Sequence, residues 1–155
     1  MAFKRRGGRF GARPRSRRVG QYRSQLEAKI AAELTAAGVP VEHETLRVPY
    51  IDTRSKYYLT DFILPNGIVI ESKGYFVSSD RAKHRMLKEQ HPSLDLRFVF
   101  AKPHNRISKQ STTTYAVWAN THGFKWATLS VPQSWIDEPR NLESLKAIRQ
   151  IKEAK

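Results

Sequence analysis

The stretch TDFILPNGIVIESKG, from Thr60 to Gly74, leaves the local fold little freedom. Pro65 suits the second position of a type I turn, and Gly67 suits the left-handed position that follows. A three-residue loop, Pro65-Asn66-Gly67, then pairs Leu64 with Ile68. Counting outward, Asp61 lies opposite Glu71. Side chains alternate along a strand, so Glu71 and Lys73 share a face and Asp61 joins them. A two-residue turn at Asn66-Gly67 would instead pair Asp61 with Ser72 and put the two acids on opposite faces. The register of this hairpin decides whether the chain has a polar cluster at all.

Two carboxylates facing each other repel. Here they stand among Phe62, Ile63, Leu64, Ile68, Val69 and Ile70. A positive charge between them removes the repulsion. An oxygen-rich pair of carboxylates suits Mg²⁺, which takes few protein ligands and keeps several waters. The backbone carbonyl of Ser72 offers a third oxygen. Lys73 can hold a water or neutralise a phosphate. These parts fit metal-assisted hydrolysis of a phosphodiester. The plainer alternative is a surface ion pair of Lys73 with Asp61 or Glu71. The apolar run around the acids argues against it.

Charge supplies the class of partner. The 155 residues carry 28 Lys+Arg against 14 Asp+Glu, a formal net charge of +14. Such a field favours a polyanion, and nucleic acid leads. Residues 1–23 hold nine basic residues and no acid. Within them Arg5, Arg6, Arg9, Arg13, Arg15, Arg17, Arg18 and Arg23 form a Gly/Arg-rich arm with too few apolar groups to fold alone. The arm reads as a phosphate clamp, and residues 24–155 as one folded domain. Cysteine is absent, which excludes disulfides and thiolate metal sites. No apolar run approaches the roughly 18 residues of a membrane span, so no membrane partner is expected.

The remaining pattern gives a coarse fold. A helix is expected over Ser24 to Ala37, with Leu26, Ile30, Leu34 and Ala37 on its apolar side, Ser24 as cap and Gly38 as stop. VPVEHETLRVPYI reads as an extended segment before the hairpin. SSDRAKHRMLKEQHP reads as a helix capped at Ser78 or Ser79, with Arg81, Lys83 and Arg85 on a basic face that could track phosphates. DLRFVFA is a buried strand. A helix is expected over Thr112 to His122, then a short strand in FKWATL and a turn in VPQSWIDEP that buries Trp135. The last helix places Leu142, Leu145, Ile148 and Ile151 on one side. The order predicts an α/β fold, a mixed sheet flanked by helices. The five histidines lack an H-E-x-x-H pattern, which argues against zinc. His104-Asn105 alone is too little for an HNH nuclease.

Asp61…Glu71-Ser72-Lys73 resembles the PD-(D/E)xK nuclease signature. More narrowly, the chain is similar to the phage endonuclease I family of Holliday-junction resolvases. The likeness runs through YRSQLEAKI, VPY, DFILPNGIVIESKG, SSDRAKH, KEQHPSLDLRFVF, HGFKWA and SWIDEP. Thr60 stands where the general signature has proline. The resemblance implies a restriction-endonuclease-like fold and a crossover junction endodeoxyribonuclease that leaves 5′-phosphate and 3′-hydroxyl ends. It implies Mg²⁺, replaceable by Mn²⁺, with two ions per site held by Glu27, Asp61, Glu71 and Ser72, and Lys73 as the catalytic lysine. Glu27 comes from the resemblance alone. Its own spacing, Ser24-x-x-Glu27, reads as a capping box in which Glu27 reaches back to the Ser24 amide.

The same resemblance implies a domain-swapped homodimer that acts on branched DNA. Each site would take Glu27 from one subunit and Asp61, Glu71 and Lys73 from the other. No small-molecule cofactor is expected, and the host cytoplasm is the expected compartment for a phage-encoded protein. Two other readings stand beside this one. The first is a sequence-specific or repair nuclease on the same fold. The second is a non-catalytic nucleic-acid-binding protein, which would have no reason to point two acids at phosphates.

Overall fold

The structure is a computed structural model and describes residues 18–154. Helix α1 (Gln25–Ala36) opens the fold, followed by β1 (Glu42–His43), β2 (Arg47–Asp52), β3 (Arg54–Leu59), β4 (Phe62–Ile63) and β5 (Ile68–Lys73). Then come α2 (Ser78–Gln90), β6 (Asp95–Phe100), α3 (Tyr115–Thr121), β7 (Trp126–Thr128), α4 (Gln133–Ile136) and α5 (Leu142–Glu153). Five strands form one mixed sheet in the order β1-β4-β5-β6-β7, and β2 and β3 form a separate antiparallel pair. The β1, β4 and β5 contacts are antiparallel, whereas β6 and β7 continue the sheet in parallel. The expected mixed sheet flanked by helices is therefore present.

Alternation along the strands sorts the core into two layers. Phe62, Leu64, Ile68, Ile70, Val99 and Ala127 pack with Ile30, Ala31 and Leu34 of α1 and with Trp135 of α4. Ile63, Val69, Leu96, Phe98 and Phe100 face the other way, against Leu87 of α2, Tyr115 and Trp118 of α3 and Ile148 of α5. β2 joins this second layer through Val48 and Tyr50. Each fully buried aliphatic side chain contributes about 1.5–3 kcal/mol, and the sheet collects such contributions on both faces.

The hairpin register is the one the turn predicts. Phe62 pairs with Ile70 and Ile63 with Val69. The Leu64 amide donates to the Ile68 carbonyl at 2.8 Å, and Gly67 takes φ +92°. The turn is also clamped from outside. Asn66 Nδ2 donates to the carbonyls of Trp135 (2.7 Å) and Glu138 (3.1 Å). Ser144 Oγ donates to the Gly67 carbonyl at 2.7 Å. A Cβ on Gly67 would come within 3.0 Å of both Asn141 O and Leu145 Cγ, so glycine is needed there for space as well as for backbone conformation.

Several elements differ from the sequence reading. Arg54–Leu59 is a strand, because RSKYYL pairs with RVPYID residue by residue from Arg47↔Leu59 to Asp52↔Arg54. The cap of α2 is Val77, with no side-chain cap bond, so neither Ser78 nor Ser79 serves. VPQSWIDEP is a one-turn helix with Trp135 buried in it, rather than a plain turn. Leu142 is 70% exposed, because it opens α5 at the first helical position, ahead of the stripe that reaches the core at Ile148. Thr60 has a positive use in place of proline: its amide donates to the Leu46 carbonyl at 3.1 Å, a bond that proline cannot make.

Candidate active site

β5 emerges from the core at Glu71, and the chain enters β4 at Asp61. A cleft of about 620 Å³ opens between them, lined by Arg23, Ser24, Glu27, Tyr57, Tyr58, Leu59, Asp61, Glu71, Ser72, Lys73, Gly74 and Tyr75. All four residues assigned to chemistry thus face one cleft within a single chain. Among the described residues, Arg23 is the basic-arm residue that lines it.

Asp61 is not bonded to the lysine. Its Oδ2 accepts from both the Ser72 amide (2.7 Å) and the Ser72 hydroxyl (2.6 Å). Glu71 is 2% exposed. Its Oε1 accepts from the Tyr58 hydroxyl and lies 3.0 Å from Lys73 Nζ. Lys73 Nζ also donates to the Tyr58 oxygen at 3.0 Å. Glu71 Oε2 is buried and has no partner, a condition it shares among the described residues only with His84 Nε2.

The electrostatics follow from this packing. Burial, and then the Glu71 charge, push the Asp61 carboxyl up to about 8, although both Ser72 bonds act the other way. Burial also works against the Lys73 charge, but Glu71, Asp80 and Asp61 outweigh it and hold its pKa above the usual lysine range. Tyr58 is pushed well above its ordinary value by burial and by Glu71, so its hydroxyl stays protonated and remains a donor. His84 is held neutral, first by burial and then by Lys73.

Glu27 is 2% exposed and sits in the first turn of α1, where the Ser24 hydroxyl accepts from its amide at 3.1 Å. The return arm of the expected capping box is displaced by one residue: Glu27 Oε2 accepts from the Arg23 amide at 2.8 Å, not from Ser24. Its other oxygen accepts from His43 Nε2 at 2.7 Å. Potential ligand atoms of Glu27, His43 and Glu44 all lie within 4.8 Å of one another. Glu44 in turn pairs with Arg23 at 2.7 Å.

The donor set fits a hard divalent cation. The groups are carboxylates, one carboxylate oxygen is buried without a donor, and one carboxyl is driven toward protonation by burial and by the Glu71 charge, a penalty that a divalent cation would remove. Asp61, Glu71 and the Ser72 carbonyl are the groups that would hold such a cation, and Glu27 lines the same cleft from α1.

The basic residues separate into distinct roles. Arg5, Arg6, Arg9, Arg13, Arg15 and Arg17 lie outside the described residues, and Arg18 is exposed. Arg81 Nη1 donates to the carbonyls of Phe76 and, at 3.4 Å, Ile107, which ties α2 to neighbouring loops. Lys83 pairs with Asp80 at 3.4 Å and stands 5.9 Å from the Tyr58 ring centre. Arg85 is exposed.

Sequence reasoning missed Tyr58, His43 and His84. Tyr58 was hidden because β3 was not recognised. Once β3 is paired, Tyr58 falls opposite buried Val48, and that alternation is the signal that would have placed it inward.

Residues 8–155 match the family described as phage endonuclease I. The chain is 43% identical over 125 residues to Endonuclease I of Escherichia phage T7, covering 80% of this chain and 84% of that protein. It is 41% identical over 120 residues to Endodeoxyribonuclease 1 of Enterobacteria phage T3, covering 77% and 79%. With the hairpin cluster set in a cleft and the match spanning nearly the whole sequence, the chain belongs to the phage endonuclease I family of nucleases.

Proposed function

We propose that this protein is a Mg²⁺-dependent DNA endonuclease that resolves four-way and other branched DNA junctions. The observation that carries the reading is Glu71 Oε2, buried without a donor beside an Asp61 carboxyl whose ionisation is opposed by burial and by the Glu71 charge. Asp61, Glu71, the Ser72 carbonyl and Glu27 would hold the cation, with Mn²⁺ a fitting substitute and room in this ligand set for two ions. When bound, it polarises the scissile phosphate and makes a water acidic enough to attack phosphorus.

The chain's own groups do the rest. Lys73 is held charged, so it acts as a donor to a phosphate oxygen or to the attacking water, not as a base. Ser72 fixes Asp61 with two bonds to one oxygen, which leaves Oδ1 for other work. The clamped Pro65-Asn66-Gly67 turn keeps both strands from shifting. Arg18, Arg23, Lys83, Arg85 and the arm before residue 18 would neutralise phosphates, with Arg81 contributing charge from its tether. Selectivity would come from the shape of the junction and its phosphate positions.

The homodimer with exchanged elements belongs to the same proposal. One chain already brings Glu27 and Asp61 to one cleft, so exchange would substitute the partner's α1 at equivalent contacts. A heterodimer of Glu27→Ala and Asp61→Ala chains tests this. If sites are shared across subunits, one site carries both lesions and the other is intact, so nicking returns. If each chain builds its own site, the heterodimer stays inactive.

A synthetic four-way junction and a matching linear duplex, each with Mg²⁺ or a chelator, test the activity. The expected result is Mg²⁺-dependent cutting confined largely to the junction. Equal cutting of both would favour the sequence-specific or repair nuclease. Binding without cutting would favour the non-catalytic nucleic-acid-binding protein.

A further inference from the structure

The site contains one polar group that the proposed chemistry has not used. Tyr58 lies on β3, in the two-stranded sheet that is not hydrogen-bonded to the main one. Its hydroxyl nevertheless enters the centre of the cluster, donating to Glu71 Oε1 and accepting from Lys73 Nζ at 3.0 Å. Lys73 Nζ also stands 3.0 Å from the same Glu71 oxygen. Oε1 therefore faces two donors and Oε2 none. A carboxylate held in this way has one preferred rotation, with its bare oxygen turned away from the phenol and the ammonium.

We propose that Tyr58 is a positioning residue that sets which oxygen of Glu71 is presented to the divalent cation. This deepens the metal-dependent reading above and rests on it. Three features support the assignment. A phenol supplies a donor without adding a positive charge, so it orients the carboxylate without competing for the cation's place. The ring is itself held: the His84 ring meets it edge-on at 4.9 Å, and His84 Nδ1 donates to the Asp80 carbonyl at 2.7 Å. Finally, the Tyr58 oxygen takes one Lys73 hydrogen and Glu71 Oε1 a second, which keeps the ammonium beside Glu71 while its third hydrogen remains for substrate. Outer-shell partners of this kind hold metal ligands in the orientation that binding needs.

The alternative is that Tyr58 merely pins the β2–β3 hairpin to the sheet. Tyr58→Phe separates the two, since it keeps the ring and its packing on His84 and removes only the hydroxyl. Ca²⁺ binding to DNA-free protein is measured by calorimetry, with Asp61→Asn as the blank. Junction nicking is then followed against Mg²⁺ concentration, and thermal unfolding in chelator checks the fold. The expected result is Ca²⁺ affinity weakened by about 10–100-fold. The Mg²⁺ concentration for half-maximal nicking should rise by a similar factor, activity should recover at high Mg²⁺, and KM for the junction should stay the same. A Tyr58→Phe protein with wild-type Ca²⁺ affinity and Mg²⁺ dependence, whether or not its melting temperature falls, would overturn the proposal. If wild type gives no more Ca²⁺ heat than Asp61→Asn, the metal reading itself fails, and the role of Tyr58 with it.

Discussion

Two buried charge clusters stand on neighbouring strands, and they are built on different principles. On β6, Arg97 is 1% exposed and lies between two acids. Its Nε and Nη2 donate to Asp95 at 2.8 and 2.7 Å, and its Nη1 and Nη2 donate to Glu138 at 2.8 and 2.7 Å. Its guanidinium also covers the Trp135 ring at 5.1 Å. Burial works against the Arg97 charge, but Glu138 and Asp95 outweigh it and raise its pKa. Both acids are held below their ordinary values by Arg97 against the cost of burial. On β5 the count of charges is the same, one cation and two acids, but the ammonium pairs with Glu71 alone, one Glu71 oxygen has no donor, and Asp61 is pushed up. A buried cluster in which the cation bonds both acids is architecture. One that leaves carboxylate oxygens without a cation or donor is where a ligand would be held.

This contrast can be broken by substitution. Glu71→Gln should reduce nicking by more than the roughly 10–100-fold that follows loss of an outer-shell partner, because under the proposed function it removes a direct ligand. Single-turnover cleavage of a junction measures it, and the fold should survive. Arg97→Met should do the opposite. It leaves Asp95 and Glu138 facing each other without a cation and should cost roughly 3 kcal/mol of stability, the low end for a broken buried pair, because Glu138 is 35% exposed. Denaturant unfolding reads that loss, while nicking per folded molecule should be unchanged. A catalytic loss without a stability loss in Arg97→Met would erase the distinction.

The two clusters should also impose opposite pH slopes. Asp61 has its folded pKa raised from 3.8 to about 8. The folded protein then binds more protons than the unfolded chain across that window, so the Asp61 contribution to stability in chelator falls as pH rises through it. Asp61→Asn should flatten this slope. Asp95 and Glu138 have lowered pKa values, so their contribution is present above the ordinary carboxylate range and is lost as acid protonates them below it. Melting temperature against pH, with and without Asp61→Asn, tests both signs.

What the sequence disclosed follows the same division. The hairpin was legible because Pro65 and Gly67 both suit the three-residue loop, and that loop, unlike a two-residue Asn66-Gly67 turn, pairs the residues outward so that Asp61 meets Glu71. The core strand DLRFVFA was legible as buried, and Asp95 and Arg97 share a face of it, but the other partner of Arg97 is Glu138, 41 residues away, and no local pattern joins that pair. β3 was not legible, since RSKYYL has no apolar alternation of its own and becomes a strand through pairing with β2. With β3 went Tyr58. Glu27 was legible only by resemblance, because its local spacing describes a helix cap, and the structure gives it a variant of that role as well.

Crystals soaked in Mn²⁺ and measured at the manganese edge test the central claim most directly. The account predicts an anomalous peak in the cleft, contacted by the Asp61 carboxylate and by Glu71 Oε2, and no peak at Asp95 and Glu138. A cleft without density there, or a single peak confined to Glu27, His43 and Glu44, would contradict it.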